Sequence, residues 1–268
     1  MNQEFAFSGQ DFSRVRGLIA AYAGISLHER KQNMVYNRLS RRLRATGLRN
    51  FGEYLDWVER PGSEERERFV NALTTNLTSF FREPHHFDML VALAKKRPGA
   101  KLRVWSSACS TGEEPWSAAI ALREAGRNAE ILASDLDTDA LETGRNAVYR
   151  VQALHNTDFD RLAPHFLKGT GANAELAMVR PEMRAMVRFE QRNLLGEEPW
   201  PAGERFDAVF CRNVMIYFDR AAQQRVLGRI ATVLAPGGLL FLGHSESCAA
   251  GHPAYRFHAK TAYERRDG

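Results

Sequence analysis

The 268-residue chain has only 3 cysteines, Cys109, Cys211 and Cys248, far apart and without a CxxC pair. This excludes a disulfide framework and a thiolate metal cluster, and it suits a reducing, cytoplasmic setting. No run of about 18 or more apolar residues occurs, so no membrane span is expected. The start, MNQEFAFSGQDF, lacks the basic stretch and apolar core of a secretory leader. Repeats and low-complexity tracts are also missing. What is present is an ordinary hydrophobic fraction with well-mixed charge, a net charge of +5 and a pI near 9.3. A soluble globular chain with a moderate attraction to acidic partners is expected.

Residues 11 to about 80 read as helices. Asp11 is placed to cap a first helix carrying Val15, Leu18, Ile19 and Tyr22, which Gly24 ends. A second runs from about Arg30 to Thr46 and stops at Gly47. NFGEYLDWVER forms a third, halted by Pro61-Gly62. SEERERFVNALTTN forms a fourth, with Ser63 as N-cap and Glu64 and Glu65 in the first turn. After KKRPGAK, strands and helices alternate: LRVWSSA, EEPWSAAIALREAG, AEILASD and TDALETGRNA, then RFDAVFCRN, RAAQQRVLGRIATVLAPGG, LLFLGHSE and HAKTAYERR. The alternation predicts an α/β fold, a doubly wound and mostly parallel sheet with helices on both faces. Residues 151–192 break the pattern. There, ELAMVRPEMRAMVRFEQR holds two strand-like runs around Pro181-Glu182, read as a small β insertion. The expected organisation is a helical domain over 1–85 and an α/β domain over 86–268, with the β subdomain at about 155–192.

In a doubly wound sheet, ligands bind beyond the carboxyl ends of the strands. SSACSTGEEPW follows the first strand, and its small residues from Ser106 to Gly112 let backbone pass close to a ligand. It is not a GxGxxG loop. Gly112 is its one glycine, so a pyrophosphate is disfavoured. Glu113 and Glu114 either complement the helix macrodipole or bind an ammonium group. Asp135 ends the second strand about 20 residues further on, where an acid meets ribose hydroxyls. Asp137 or Thr138 remains to cap the next helix. Together these features describe a nucleoside with a cationic amino-acid tail, which fits S-adenosylmethionine better than NAD. Arg212 and Asn213 leave a third strand, and Tyr217 follows one turn later.

Five ordered segments resemble the CheR family: TTNLTSFFREPHHF, VWSSACSTGEEPWSAAI, SDLDTDALETGR, FDAVFCRNVMIYFD and LAPGGLLFLGHSES. Its members are bacterial chemotaxis methyltransferases that methylate glutamates on chemoreceptors. The resemblance covers almost the whole chain. Trp116 stands where the family commonly has tyrosine, and Cys109 where a small residue is usual. The resemblance implies a Rossmann-like methyltransferase that uses S-adenosylmethionine, releases S-adenosylhomocysteine and needs no metal. It places Asn76, Thr78 and Arg82 against the cofactor, and Glu113 ahead of Glu114 at the methionine ammonium. Asp135 takes the ribose hydroxyls. Asn193 and Leu194 sit by the adenine, as does the backbone near Arg212 and Asn213. Arg82 and Tyr217 resemble residues that position the reacting carboxylate. The implied partner is the cytoplasmic domain of methyl-accepting receptors, with recruitment to receptor arrays. FLKGTGANAEL resembles the loop of members that also bind a receptor's C-terminal peptide.

Arg38, Arg41 and Arg42 share one helix face at about 100° per residue, opposite Tyr36, Leu39 and Leu43. That face is expected to dock on the acidic receptor surface. The charge also suits nucleic acid, but neither interleaved surface aromatics nor a recognition motif supports that partner. His85 and His86 are expected at a helix start, as packing residues, because adjacent histidines chelate one ion poorly. Phe80, Phe81 and Phe87 are expected to knit the helical and α/β domains together, with Asn76, Thr78 and Arg82 turned to the ligand.

Overall fold

The computed structural model describes residues 4–197, 200 and 205–266. The chain divides into two compact units, one of residues up to Thr75 plus Tyr217–Ala222, the other of Asn76–Ile216 plus the residues from Gln223 onward.

The helical unit holds α1 (Gly9–Ala23), α2 (Gln32–Thr46), α3 (Phe51–Glu59) and α4 (Glu65–Leu73). Ser8, not Asp11, caps α1. Its hydroxyl accepts from Asp11 N at 3.0 Å while Ser8 N donates to the Asp11 carboxylate at 2.8 Å, a reciprocal capping box. Asn50 caps α3 through Glu53 N at 2.8 Å. Gly24 and Gly47 close α1 and α2 in the left-handed conformation, at φ 67° and 73°. Ser63 does not cap α4. The helix starts at Glu65, and the Ser63 hydroxyl is buried without a hydrogen bond. Val15, Ile19, Leu39, Leu43, Tyr54 and Phe69 form the buried interior.

Two of the three α2 arginines of the expected docking face bond within this unit. Arg42 donates to both oxygens of Glu65 at 2.8 and 2.9 Å. Glu65 is buried and also accepts the Tyr54 hydroxyl at 3.0 Å. Arg38 donates to the Thr74 carbonyl and lies 3.4 Å from the Ala72 carbonyl, so it closes the carboxyl end of α4. Arg41 is exposed.

The second unit opens with α5 (His85–Lys95), β1 (Leu102–Ser106), α6 (Glu113–Glu124), β2 (Ala129–Asp135) and α7 (Thr138–Asn146). Next come β3 (Val148–Arg150), α8 (Val151–His155), α9 (Phe159–Leu162), β4 (Phe166–Lys168), β5 (Leu176–Val179) and α10 (Pro181–Arg184). It ends with β6 (Val187–Gln191), β7 (Phe206–Phe210), α11 (Arg220–Val233), β8 (Leu234–Phe241), β9 (Tyr255–Ala259) and β10 (Ala262–Arg265), the first residues of α11 grouping with the helical unit. The main sheet runs β6-β2-β1-β7-β8-β10-β9. Its first five strands are parallel, and β10 is antiparallel to both neighbours. The chain leaves β1 for β2 on one side and returns to β7 on the other, so the switch point lies between β1 and β7.

A separate antiparallel sheet, β3-β5-β4, forms the small insertion. It begins at Val148, before the expected boundary. The second strand-like run near Pro181 is not part of it. That run is β6, which pairs parallel to β2 with Val187 opposite Ile131. HAKTAYERR is not one strand but most of the β9–β10 hairpin. Phe80, Phe81 and Phe87 all lie in the core of the α/β unit. Phe80 meets Tyr149 and Phe166 edge-on at 5.1 and 5.5 Å, and Phe87 stacks on Phe210 at 5.6 Å. These contacts all lie within that unit. Among the described residues, no helix is long and apolar enough to cross a membrane.

Candidate active site

The carboxyl ends of the parallel strands are tied to one another by short bonds. Ser107 N donates to Phe210 O at 2.8 Å, joining β1 to β7, and Cys109 N donates to Ser134 O at 2.9 Å, joining β1 to β2. Arg192 N donates to Asp135 O at 2.9 Å, which brings the QRNLL segment to the same edge. Asp135 lies at the centre of this edge. One carboxylate oxygen accepts Ser110 N at 2.7 Å and the other accepts Asp137 N at 3.0 Å. Capping of α7 falls to Asp137, which accepts from Asp139 N and Ala140 N at 3.0 and 3.1 Å. Asp135 thus keeps acceptor capacity for hydroxyl donors. Burial pushes its carboxyl above the ordinary range.

Gly112 makes the turn into α6 at φ 97°. A Cβ there would come within 2.9 Å of Gly144 Cα and 2.9 Å of the Tyr149 hydroxyl. This glycine is required by close packing against α7, a constraint separate from any ligand. Gly144 has its own constraint, since a Cβ would fall 2.6 Å from the Phe189 ring.

The two glutamates that open α6 have different surroundings. Glu114 is buried. It accepts the Ser106 hydroxyl at 2.7 Å and Arg212 Nη1 at 2.8 Å. Burial raises its carboxyl, and the Arg212 guanidinium opposes that rise. Glu113 meets no cationic side chain among the described residues. It accepts the Thr111 hydroxyl at 2.6 Å, and burial raises its carboxyl. A half-desolvated carboxylate without a cation is the arrangement that accepts an ammonium group. Glu113 and Asp135 therefore fit S-adenosylmethionine at its charged tail and its ribose.

The segment before α5 is held from several sides. Asn76 donates to Asp137 at 2.6 Å. Thr78 is half-buried. Arg82 is half-buried and donates to Leu77 O at 2.8 Å. Phe81 N donates to the Ser117 hydroxyl at 2.8 Å, and Ser117 donates to Glu113 O at 2.6 Å. Phe81 and Glu83 both take left-handed backbone, at φ 50° and 57°. Arg212, almost fully buried, donates to Arg82 O at 2.5 Å and so fixes this irregular turn.

The third loop depends on a residue that the sequence reading missed. Glu246 is buried, and it accepts Gly243 N at 2.6 Å, Asn213 N at 2.8 Å and Ile216 N at 3.3 Å. Asn213 is left-handed at φ 58°. Gly243 leaves room for it, since a Cβ there would lie 2.3 Å from the Asn213 amide nitrogen. The adjoining strand-end run GHSES was the available signal, but an acidic residue in a loop does not reveal which amides it will meet. Asn193 accepts Leu195 N at 2.9 Å, and Leu194 is buried with its carbonyl 3.1 Å from Arg229. Tyr217 groups with the helical unit, where its carbonyl accepts Ser26 N at 2.8 Å. Cys109 is buried, which pushes its thiol well above its ordinary value and disfavours the thiolate.

The fold and this edge define a methyltransferase-type α/β domain that suits an adenosyl ligand with a cationic tail. Two family descriptions match the chain: "CheR methyltransferase, SAM binding domain" over residues 76–263 and "CheR methyltransferase, all-alpha domain" over residues 10–74. The chain belongs to the CheR methyltransferase family. It is 47% identical to the chemotaxis protein methyltransferase of Klebsiella aerogenes, over 98% of this chain and 92% of that one. It is 45% identical to the chemotaxis protein methyltransferase of Escherichia coli K12, over 98% and 93%. It is 47% identical to chemotaxis protein methyltransferase 2 of Pseudomonas aeruginosa, over 98% and 95%.

Proposed function

We propose that the protein is a protein-glutamate O-methyltransferase. It methylates glutamate side chains in the cytoplasmic domain of methyl-accepting chemotaxis receptors, forming esters that tune adaptation. The observation that carries this reading is the pair of half-buried carboxylates, Glu113 and Asp135, that meet no cation among the described residues at the carboxyl edge of the sheet. Near end-to-end similarity to proteins named chemotaxis protein methyltransferases is consistent with a chemoreceptor substrate. The enzyme works in the cytoplasm, at receptor arrays.

When bound, S-adenosylmethionine supplies an activated methyl group and leaves as S-adenosylhomocysteine. Glu113 takes its ammonium group and Asp135 its ribose hydroxyls. Asn193, Leu194 and the backbone at Arg212 and Asn213 border the adenine, and Asn76 and Thr78 complete the cofactor site. A glutamate carboxyl has a solution pKa near 4.3, so the target is already an anion at neutral pH. No general base is required. The remaining task is alignment, bringing a carboxylate oxygen to about 3–3.5 Å from the methyl carbon. Arg82 provides a charge-assisted bond to that carboxylate, and Tyr217 is the second residue assigned to it. The Leu77 carbonyl engages one Arg82 nitrogen at 2.8 Å, which limits the clamp on the ground state. At the small sheet, β4 is an edge strand with a partly exposed Leu167, which suits addition of a receptor tail peptide as a further strand. Of the α2 arginines, exposed Arg41 is the one best placed to meet an acidic receptor surface.

The test is transfer of labelled methyl from S-adenosylmethionine to receptor-containing membranes. The expected product releases methanol in mild base, as an ester does. Label that survives base treatment, or that appears in nucleic acid or small molecules instead, overturns the proposal.

A further inference from the structure

The turn that carries Arg82 also gathers three side chains that the transfer reaction does not use. Glu83 stands on left-handed backbone, Pro84 follows, and His85 and His86 begin α5. This geometry brings one carboxylate oxygen and one nitrogen from each ring within 4.8 Å of one another. The sequence reading weighed the two histidines alone. The left-handed turn adds the carboxylate.

Three atoms there are buried without a hydrogen bond: Glu83 Oε2, His85 Nε2 and His86 Nδ1. Each such orphan is unfavourable, so three in one spot call for a ligand. His86 is fully buried, and its other nitrogen, Nε2, lies 2.8 Å from the Thr261 hydroxyl. In the tautomer that carries its proton on Nε2, this nitrogen donates to the hydroxyl and Nδ1 keeps a lone pair. Metal-bound histidines are held in this way, by a partner on the nitrogen that does not coordinate. Glu83 Oε2 is 3.6 Å from both His86 Nδ1 and Arg212 Nη2, too far to be satisfied by either.

We propose that Glu83, His85 and His86 form a binding site for a divalent transition-metal ion of the zinc type. Two imidazoles and one carboxylate suit such an ion, whereas magnesium and calcium require oxygen-rich sites. Tetrahedral zinc with bonds of about 2.0–2.2 Å needs ligand atoms roughly 3.3 Å apart, so the cluster contracts on binding. Half-buried Glu83 and His85 supply that movement around the fixed His86. Exposed His244, with Nδ1 3.3 Å from Glu83 Oε1, is available as a further donor. The neighbouring cations are Arg212, whose charge is offset by Glu114 at 2.8 Å, and exposed Lys260.

The site itself stands apart from the proposed transfer reaction. Its consequence rests on that reading, because Arg212 also holds the Arg82 carbonyl, so drawing Glu83 to a metal alters the balance of charge around Arg82. The test uses metal-stripped full-length protein titrated with Co2+ as a visible-absorption probe, then with Zn2+ as competitor. The expected result is one Co2+ per chain, displaced by Zn2+ and unaffected by excess Mg2+. Glu83→Gln and His85→Asn are each expected to weaken Co2+ binding by roughly tenfold or more, with thermal unfolding verifying that both variants fold. Absence of saturable binding overturns the proposal. So does stoichiometric binding that persists unchanged in both variants. S-adenosylhomocysteine binding, measured separately, reports on the adenosyl site whichever way the metal titration falls.

Discussion

The helical unit and the carboxyl edge of the sheet treat charge in opposite ways. In the helical unit, Arg42 grips buried Glu65 with two bonds, and Arg14 bonds Glu59 and Asp56. Charge there closes on itself and holds helices together. At the sheet edge, half-buried Glu113 and Asp135 meet hydroxyl and backbone donors and, among the described residues, no cation. Glu114, one residue from Glu113, is paired with Arg212. A buried charge with an internal partner maintains structure, whereas one lacking an opposite charge has the capacity to accept a cationic or hydroxyl-bearing ligand. Adjacent residues on one helix fall into different classes.

The contrast breaks most visibly at Glu114. Glu114→Ala removes the closer carboxylate from buried Arg212 and leaves Glu83 at 3.6 Å, and a loss of about 3 kcal/mol in denaturant unfolding is expected. Glu113→Gln is expected to leave unfolding nearly unchanged while weakening S-adenosylhomocysteine binding about ten- to a hundredfold by calorimetry, the worth of one charge-assisted contact. If Glu113→Gln unfolds as readily as Glu114→Ala, the distinction between the two glutamates fails. Arg42→Ala takes the cation from buried Glu65 and leaves it the Tyr54 hydroxyl, with an expected stability loss of about 1–3 kcal/mol. An Arg42→Ala variant of unaltered stability that no longer methylates receptors would instead return Arg42 to the docking face.

The smallest expected effect is on pH. Burial raises the carboxyls of Glu113 and Asp135, so the folded free protein binds protons that the unfolded chain has released. The stability these groups contribute is fully present below their ordinary values of 4.5 and 3.8, and it declines as pH rises through the raised values. An ammonium ligand selects the ionised form. The gain in melting temperature on adding S-adenosylhomocysteine should therefore shrink as the pH falls toward that range. A gain that stays constant would mean that neither acid faces the ligand's charge.

Much of this was legible in the chain. Strand–helix alternation, left-handed glycines and acids at strand ends are local signals, and they located the sheet, its switch-point loops and the positions of Glu113 and Asp135. What escaped were pairings between distant residues. Arg42 finds Glu65 across 23 positions, and helical periodicity alone cannot tell such an arginine from a solvated one. β6 carries a strand pattern, but its partner β2 lies beyond the whole insertion. Glu246 meets the Asn213 loop 33 positions away. Ser63 had the right chemistry for a cap, but α4 begins one turn position too late to use it.

The contact of Gly112 with Gly144 has a consequence for how this site can vary. Any side chain at 112 meets the backbone of α7, and any at 144 meets the Phe189 ring. The spacing between the α6 start, where Glu113 sits, and the β2–α7 turn, where Asp135 sits, is set by two residues with no side chains. They act as a ruler. Among functioning relatives, a larger residue at either position should appear only with a compensating change at its neighbour, and the pair should drift together or not at all.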